Sequence, residues 1–182
     1  MIIRSKINRL LLVSGSGRNS GKTTLACEII KNVSKTMAVY ALKISPHFHQ
    51  LNDKQELLVQ QKGFRIFRET DVHSNKDSSR MLKAGAKESL YLQCEDNAVS
   101  EAFEHVIKFI PRNCPIVCES GSLAKSFRPG LHLLVGNENM ESNKKGLNEN
   151  KRLADQVVCY DSTNFNLDIK RIAFDGKTWN LK

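Results

Sequence analysis

The chain has no run of eighteen apolar residues, so nothing in it reads as a membrane span. Its start, Met1-Ile2-Ile3-Arg4-Ser5-Lys6, is too short and too charged for a secretory leader, and a cytoplasmic protein is expected. No Cys-x-x-Cys pair occurs. The five cysteines, at 27, 94, 114, 118 and 159, are odd in number and scattered through apolar segments, which argues against a disulfide framework and against a zinc site. Repeats and low-complexity tracts are missing too. Acid is scarce relative to base: 19 against 28 residues gives a net charge of +9, which favours polyanionic partners. There is no basic stripe interleaved with aromatics, so that charge points to nucleotide phosphates or a phosphorylated cofactor before nucleic acid.

At 182 residues, one domain with a sizeable core is expected. Short apolar strands alternate with amphipathic helices. Leu10–Val13 reads as a first strand, Leu25–Lys31 as a helix, and Met37–Ile44 as a second strand ended by Pro46. Residues 45–63 read as loop with a short helix over Lys54–Gln61. Further strands are expected over Phe64–Glu69, Ser89–Cys94, Pro115–Ser120, Leu131–Val135 and Gln156–Tyr160, with Ile172–Phe174 as a last edge strand. A helix capped by Asp77 and ended by Gly85 is expected, and another over Asn97–Ile110 with Val99, Phe103, Val106 and Ile110 on its buried face. Residues 136–150, rich in Asn and Lys, read as a mobile polar loop. The pattern is that of an α/β fold: a three-layer, mostly parallel sheet with helices on both faces, of the P-loop NTPase kind. Ligands of such sheets bind outside the carboxyl ends of the strands.

Between the first strand and first helix lies Gly15-Ser16-Gly17-Arg18-Asn19-Ser20-Gly21-Lys22-Thr23-Thr24. Strand, glycine-rich turn and helix, in that order, are the context of a phosphate-binding loop. Backbone N–H groups of such a turn cradle phosphate oxygens, and the helix N-terminus adds its positive end. Lys22 would serve the β- and γ-phosphates, and the Thr23 hydroxyl would hold Mg²⁺. The strict spacing wants glycine where Ser16 stands. Gly15 gives a loop one residue longer and Gly17 one residue shorter, and both registers remain open. The competing reading is an ordinary turn with Ser20 capping the helix.

Downstream, Glu119 ends the apolar strand Pro115–Ser120. An acid there is suited to hold Mg²⁺ or position a water, and it is otherwise an acid meeting a helix N-terminus or solvent. Lys43 lies inside an apolar strand and needs a partner: a substrate phosphate, Glu119, or solvent reached by snorkelling. His47 and His49 share one side of an extended loop and suit a metal pair, phosphate contacts or no more than a polar loop; no third ligand is evident. Lys76–Arg80 either presents an acid, Asp77, and a base to the same pocket or is a capped helix start.

Taken together, these pieces resemble the molybdopterin-guanine dinucleotide biosynthesis protein B family (MobB). Ser20-Gly21-Lys22-Thr23-Thr24-Leu25 is similar to that family's P-loop, and Ala41–His47 to its second strand. Lys76-Asp77-Ser78 with Ala84-Gly85-Ala86, and Val117–Ser120, fall where the family has Gly-Lys-Asp-Ser, Ala-Gly-Ala and Val-Glu-Gly. Ile44 stands in place of a family His, Asn75 in place of a Gly, and Ser120 intervenes before Gly121. The resemblance implies GTP with Mg²⁺, slow hydrolysis, a homodimer, and help in attaching GMP to molybdopterin, with a phosphorylated cofactor or partner enzyme as partner. A second resemblance, through the longer loop from Gly15, is to dethiobiotin synthetase and the cobyrinic acid amidase group, and implies ATP-dependent activation of a carboxylate. The alternatives to a cofactor-assembly NTPase are therefore an ATP-dependent ligase or small-molecule kinase, and a nucleotide switch without catalysis. Asn143-Lys144-Lys145 begins like a guanine-reading motif but has Gly146 where the acid belongs.

Overall fold

A computed structural model of the protein describes residues 4–48, 54–136 and 146–182. Its frame follows from the apolar strands. Strands β1 (Ser5–Gly15), β2 (Tyr40–Ser45), β3 (Gln55–Gln61), β4 (Phe64–Glu69), β5 (Glu88–Cys94), β6 (Ile116–Glu119), β7 (Phe127–Gly136) and β8 (Gln156–Cys159) form one sheet in the order β3-β4-β5-β2-β6-β1-β7-β8. The pairings from β5 through to β8 are parallel, and β3 and β4 join by antiparallel pairing. The fold is thus α/β with a mostly parallel sheet, as the alternating pattern implies.

Helices cover both faces. Helix α1 (Lys22–Val33) and helix α2 (Asp77–Lys83) lie on one, where Leu25, Ile29 and Met81 pack against Leu11, Val13, Ala41 and Val117. Helix α3 (Val99–Val106), extended by a 3₁₀ turn over Ile107–Phe109, covers the other. Its Val99, Phe103 and Val106, followed by Ile110, meet Leu10, Leu12, Leu42, Leu90 and Leu92. Odd and even positions of β1 therefore serve different cores, as the period-2 alternation of a strand requires, and both are apolar because both faces are covered.

Several expectations are corrected. Lys54–Gln61 holds no helix; its residues pair with β4 through a turn at Gly63, whose φ of +87° suits glycine in a tight hairpin. Ile172–Phe174 does not extend the main sheet. As β9 it pairs antiparallel with β10 (Trp179–Leu181) and packs on the α1 side. Of the polar stretch 136–150, residues 137–145 lie outside the described residues, and its end is ordered as helix α4 (Leu147–Leu153), which buries Leu147 and Asn150. The cap of α2 is Lys76, and Asp77 is its first helical residue with no capping bond, leaving the carboxylate for other work. All five cysteines are free thiols; burial raises Cys27 and Cys94 to about 11 and pushes Cys118 well above its usual value. Among the described residues no helix is long and apolar enough to cross a membrane.

Strand order decides where the site lies. Strand β6 inserts between β1 and β2, so the loop after β1 and the ends of β2 and β6 sit side by side. The chain leaves β1 toward β2 in one direction and β6 toward β7 in the other, and a crevice of this kind at the carboxyl edge is the usual ligand position.

Candidate functional site

The parallel register lines side chains of one face into a row: Val13 beside Glu119, Glu119 beside Lys43, Lys43 beside Tyr91. Toward the carboxyl edge the apolar row gives way to charge. Glu119 is 2% exposed, so its carboxylate must find partners. Lys43 Nζ lies 2.5 Å from its Oε1 and 2.7 Å from Asp77 Oδ2. Thr23 Oγ1 is 2.7 Å from Glu119 Oε2 and 3.0 Å from Asp77 Oδ1, so its one proton lies between two carboxylates. Burial alone would pull the Lys43 ammonium down, but Glu119 and Asp77 hold it above the usual lysine value. For Asp77, burial pushes upward and is outweighed by Lys43 and by the hydrogen bond from Thr23, leaving the acid below its usual value.

The glycine-rich loop closes over this cluster. Lys22 Nζ donates back to the Gly17 carbonyl and lies 3.2 Å from Ser20 Oγ, which itself donates to Gly17 O at 3.1 Å. Ser16 N–H is tied to the Val135 carbonyl at the end of β7. Gly21, not Ser20, stands at the helix cap, with φ +90°. A Cβ on Gly21 would meet the Tyr160 ring at 2.6 Å, so conformation and space both require glycine there. Space also separates the two loop registers: a Cβ on Gly15 would lie 2.5 Å from Cγ and Cδ of Lys22, whereas one on Gly17 meets nothing within 4 Å. The close approach belongs to Gly15, the glycine of the longer register.

One cleft of about 1160 Å³ unites these parts. Residues 15 and 17–24 line it, as do Lys43, Asp77 and Glu119. His47 lines it as well; His49, like Asn143-Lys144-Lys145, lies outside the described residues. Among the described residues no three His, Cys, Asp or Glu side chains gather as around a metal ion. Mg²⁺ asks for less: one or two carboxylates and a hydroxyl, with phosphate oxygens and water completing its shell. Thr23, Asp77 and Glu119 are hard oxygen donors brought to one point and fit that description.

Arg80, from the segment Lys76–Arg80, lines the cleft as well, and so do Tyr160 and Gln93, which carry no motif. Arg80 Nη2 donates to Thr24 Oγ1 at 3.3 Å, Tyr160 packs on Gly21, and Gln93 is buried with, among the described residues, no hydrogen bond to its Oε1. Gln93 had a signal of the same kind as Lys43 and Glu119: a polar residue near the carboxyl end of an apolar strand. No protein-family model, curated protein or solved structure significantly matches the chain.

Proposed function

We propose that the chain binds a nucleoside triphosphate together with Mg²⁺ in the loop half of the cleft and hydrolyses it slowly, as a P-loop NTPase. The observation that carries this reading is the Thr23 hydroxyl, set one residue after Lys22 and held between Glu119 and Asp77. A structural turn needs no pair of acids, one buried and one half-exposed, at that hydroxyl; a site for a hard cation beside phosphates does. Bound Mg²⁺ would neutralise charge on the phosphate oxygens. The protein's part is to hold those oxygens with loop N–H groups and Lys22, and to present Thr23 and Glu119 in fixed positions. Lys43 compensates the charge of the paired carboxylates, with its ammonium 2.5 Å from Glu119 and 2.7 Å from Asp77. The four segments resembling MobB support GTP as the nucleotide and assembly of a molybdopterin-type cofactor as the process.

A second reading has its own support. Gly15 as the closely approached glycine gives the longer loop, which resembles the dethiobiotin synthetase and cobyrinic acid amidase group. That favours ATP and a ligase or small-molecule kinase over a nucleotide switch.

Thermal unfolding with ATP and with GTP, each with and without Mg²⁺, separates these readings. A ligand at 100 times its Kd adds about 2.7 kcal/mol. GTP with Mg²⁺ is expected to raise the midpoint in the native protein and not in Lys22→Ala. A rise with ATP alone selects the ligase or kinase reading. A flat response to both nucleotides overturns the site, and a rise indifferent to Mg²⁺ overturns the metal role of Thr23 and Glu119.

A further inference from the structure

Of the two acids in the cluster, Glu119 stands on the sheet and Asp77 on α2, a helix of seven residues. That helix has little apolar grip, because its buried side chains are Ser78, Ser79 and Met81. A serine buried on a helix face adds little hydrophobic burial and needs a hydrogen-bond partner. Both serines have one: Ser78 Oγ donates to Glu69 Oε2 at 2.7 Å, and Ser79 Oγ donates to the Asp71 carbonyl. The Ser78 carbonyl in turn accepts from Ser89 Oγ of β5 at 2.8 Å. Glu69 ends β4, is 3% exposed and is not among the residues that line the cleft. Three donors converge on its carboxylate: Ser78 Oγ, Gln55 Nε2 at 2.9 Å and the Asp71 N–H at 3.0 Å. A carboxylate is the stronger kind of acceptor, and here it binds the residue next to Asp77.

We propose that Glu69 is a positioning residue for the metal half of the cleft: through Ser78 it fixes the first turn of α2 and thereby the Asp77 carboxylate. Contacts at the tip of Asp77 do not suffice for this. Thr23 Oγ1 and Lys43 Nζ reach that carboxylate at 3.0 and 2.7 Å, but both are shared with Glu119. Thr23 is also the hydroxyl that would turn its oxygen to Mg²⁺. Keeping Asp77 in place beside a cation therefore falls to the turn of helix that carries it. Gln55, paired with Glu69 in register, ties the edge strand β3 into the same group of bonds. The β3–β4 hairpin thus acts on the site from the far end of the sheet. The role in metal binding rests on reading the loop half as the site of a nucleotide with Mg²⁺; the anchoring of Asp77 does not.

Two measurements on the full chain, well below its unfolding transition, test this with Glu69→Leu, Glu69→Gln and Ser78→Ala. The first is amide hydrogen exchange without ligand, read at Arg80, whose N–H closes the first turn of α2 on the Lys76 carbonyl at 2.9 Å. Glu69→Leu and Ser78→Ala are expected to exchange about tenfold faster there, the order of one lost hydrogen bond. Glu69→Gln, whose amide oxygen still accepts, should recover most of the protection. The second is the affinity for ATP and for GTP, each with Mg²⁺ and with EDTA. A residue that places a metal ligand should lower the ratio of the two affinities, by about tenfold in Glu69→Leu and Ser78→Ala, and leave the EDTA value unchanged. In an Asp77→Ala background the same substitutions should change the ratio no further. Should Glu69→Leu fail to fold, Ser78→Ala carries both measurements. Unaltered exchange at Arg80, equal loss with Mg²⁺ and with EDTA, or an undiminished loss in Asp77→Ala overturns the proposal. If the native protein binds neither nucleotide, the nucleotide reading falls, and the exchange at Arg80 alone decides whether Glu69 anchors Asp77.

Discussion

At the scale of single residues, the loop turns on which glycine is indispensable. Gly15 and Gly17 are indistinguishable as letters, but only Gly15 lies under the Lys22 side chain. A Cβ there forces Lys22 out of its place or the loop off β1, and overpacking of this sort costs about 1–3 kcal/mol. Gly17→Ala faces open space, so its effect should stay within about 0.5 kcal/mol. Denaturant unfolding of Gly15→Ala and Gly17→Ala tests this, and equal stability of the two would remove the argument for the longer loop. Glu119 and Lys43 were visible in the sequence because a charge inside an apolar strand demands explanation. Asp77 was visible as an acid but misread as a cap, since its partners Lys43 and Thr23 are 34 and 54 residues away in sequence. Gln93 was overlooked because a lone neutral amide makes no such demand until its burial is known.

At the scale of elements, the join between β1, β7 and β8 depends on a histidine. His132 is wholly buried on β7, with its Nε2 hydrogen-bonded to Ser14 Oγ of β1 at 2.8 Å and its backbone N–H donating to Asp155 just before β8. Burial lowers its pKa from the usual 6.5; the nearby Leu153 carbonyl and Asp155 oppose this in part, and Arg4 reinforces it. The unfolded chain therefore takes up a proton that the folded chain refuses. Stability from this group is complete above pH 6.5 and declines as pH falls toward the depressed folded value. Urea midpoints between pH 7.5 and 5 should fall with acidity in the native protein and fall less steeply in His132→Gln; matching slopes would contradict the assignment. Parallel strands such as β1, β2 and β6 were legible as continuous apolar runs. The β3–β4 hairpin was not, because Gln-rich β3 lies at the sheet edge with much of its surface exposed and lacks the apolar alternation that marks a strand.

At the scale of the whole molecule, strand order was beyond the sequence, since it depends on contacts between segments far apart in the chain. It is nonetheless what makes a site of scattered residues, by setting β6 between β1 and β2. A parallel sheet must be covered on both faces. On the α1 side, the cover over β7 and β8 is completed by the β9–β10 pair, whose Ile172, Phe174 and Trp179 pack into the core with Leu131, Leu133 and Val158. Trp179 adds a polar link. The register of β1 against β7 shifts between Ile7 and Leu11, and the indole N–H donates to the Arg9 carbonyl, within that irregular stretch, at 2.9 Å. Two separable losses follow. Trp179→Phe keeps most of the apolar cover but leaves the Arg9 carbonyl without its donor, a cost of about 1–3 kcal/mol. Trp179→Ala also opens a cavity beside Phe174 and should cost about 3–5 kcal/mol. Chemical denaturation followed by circular dichroism, which needs no tryptophan, measures both. If Trp179→Phe is as stable as the native protein, the Arg9 link contributes nothing; if Trp179→Ala is also unchanged, the β9–β10 pair does not complete this face of the sheet.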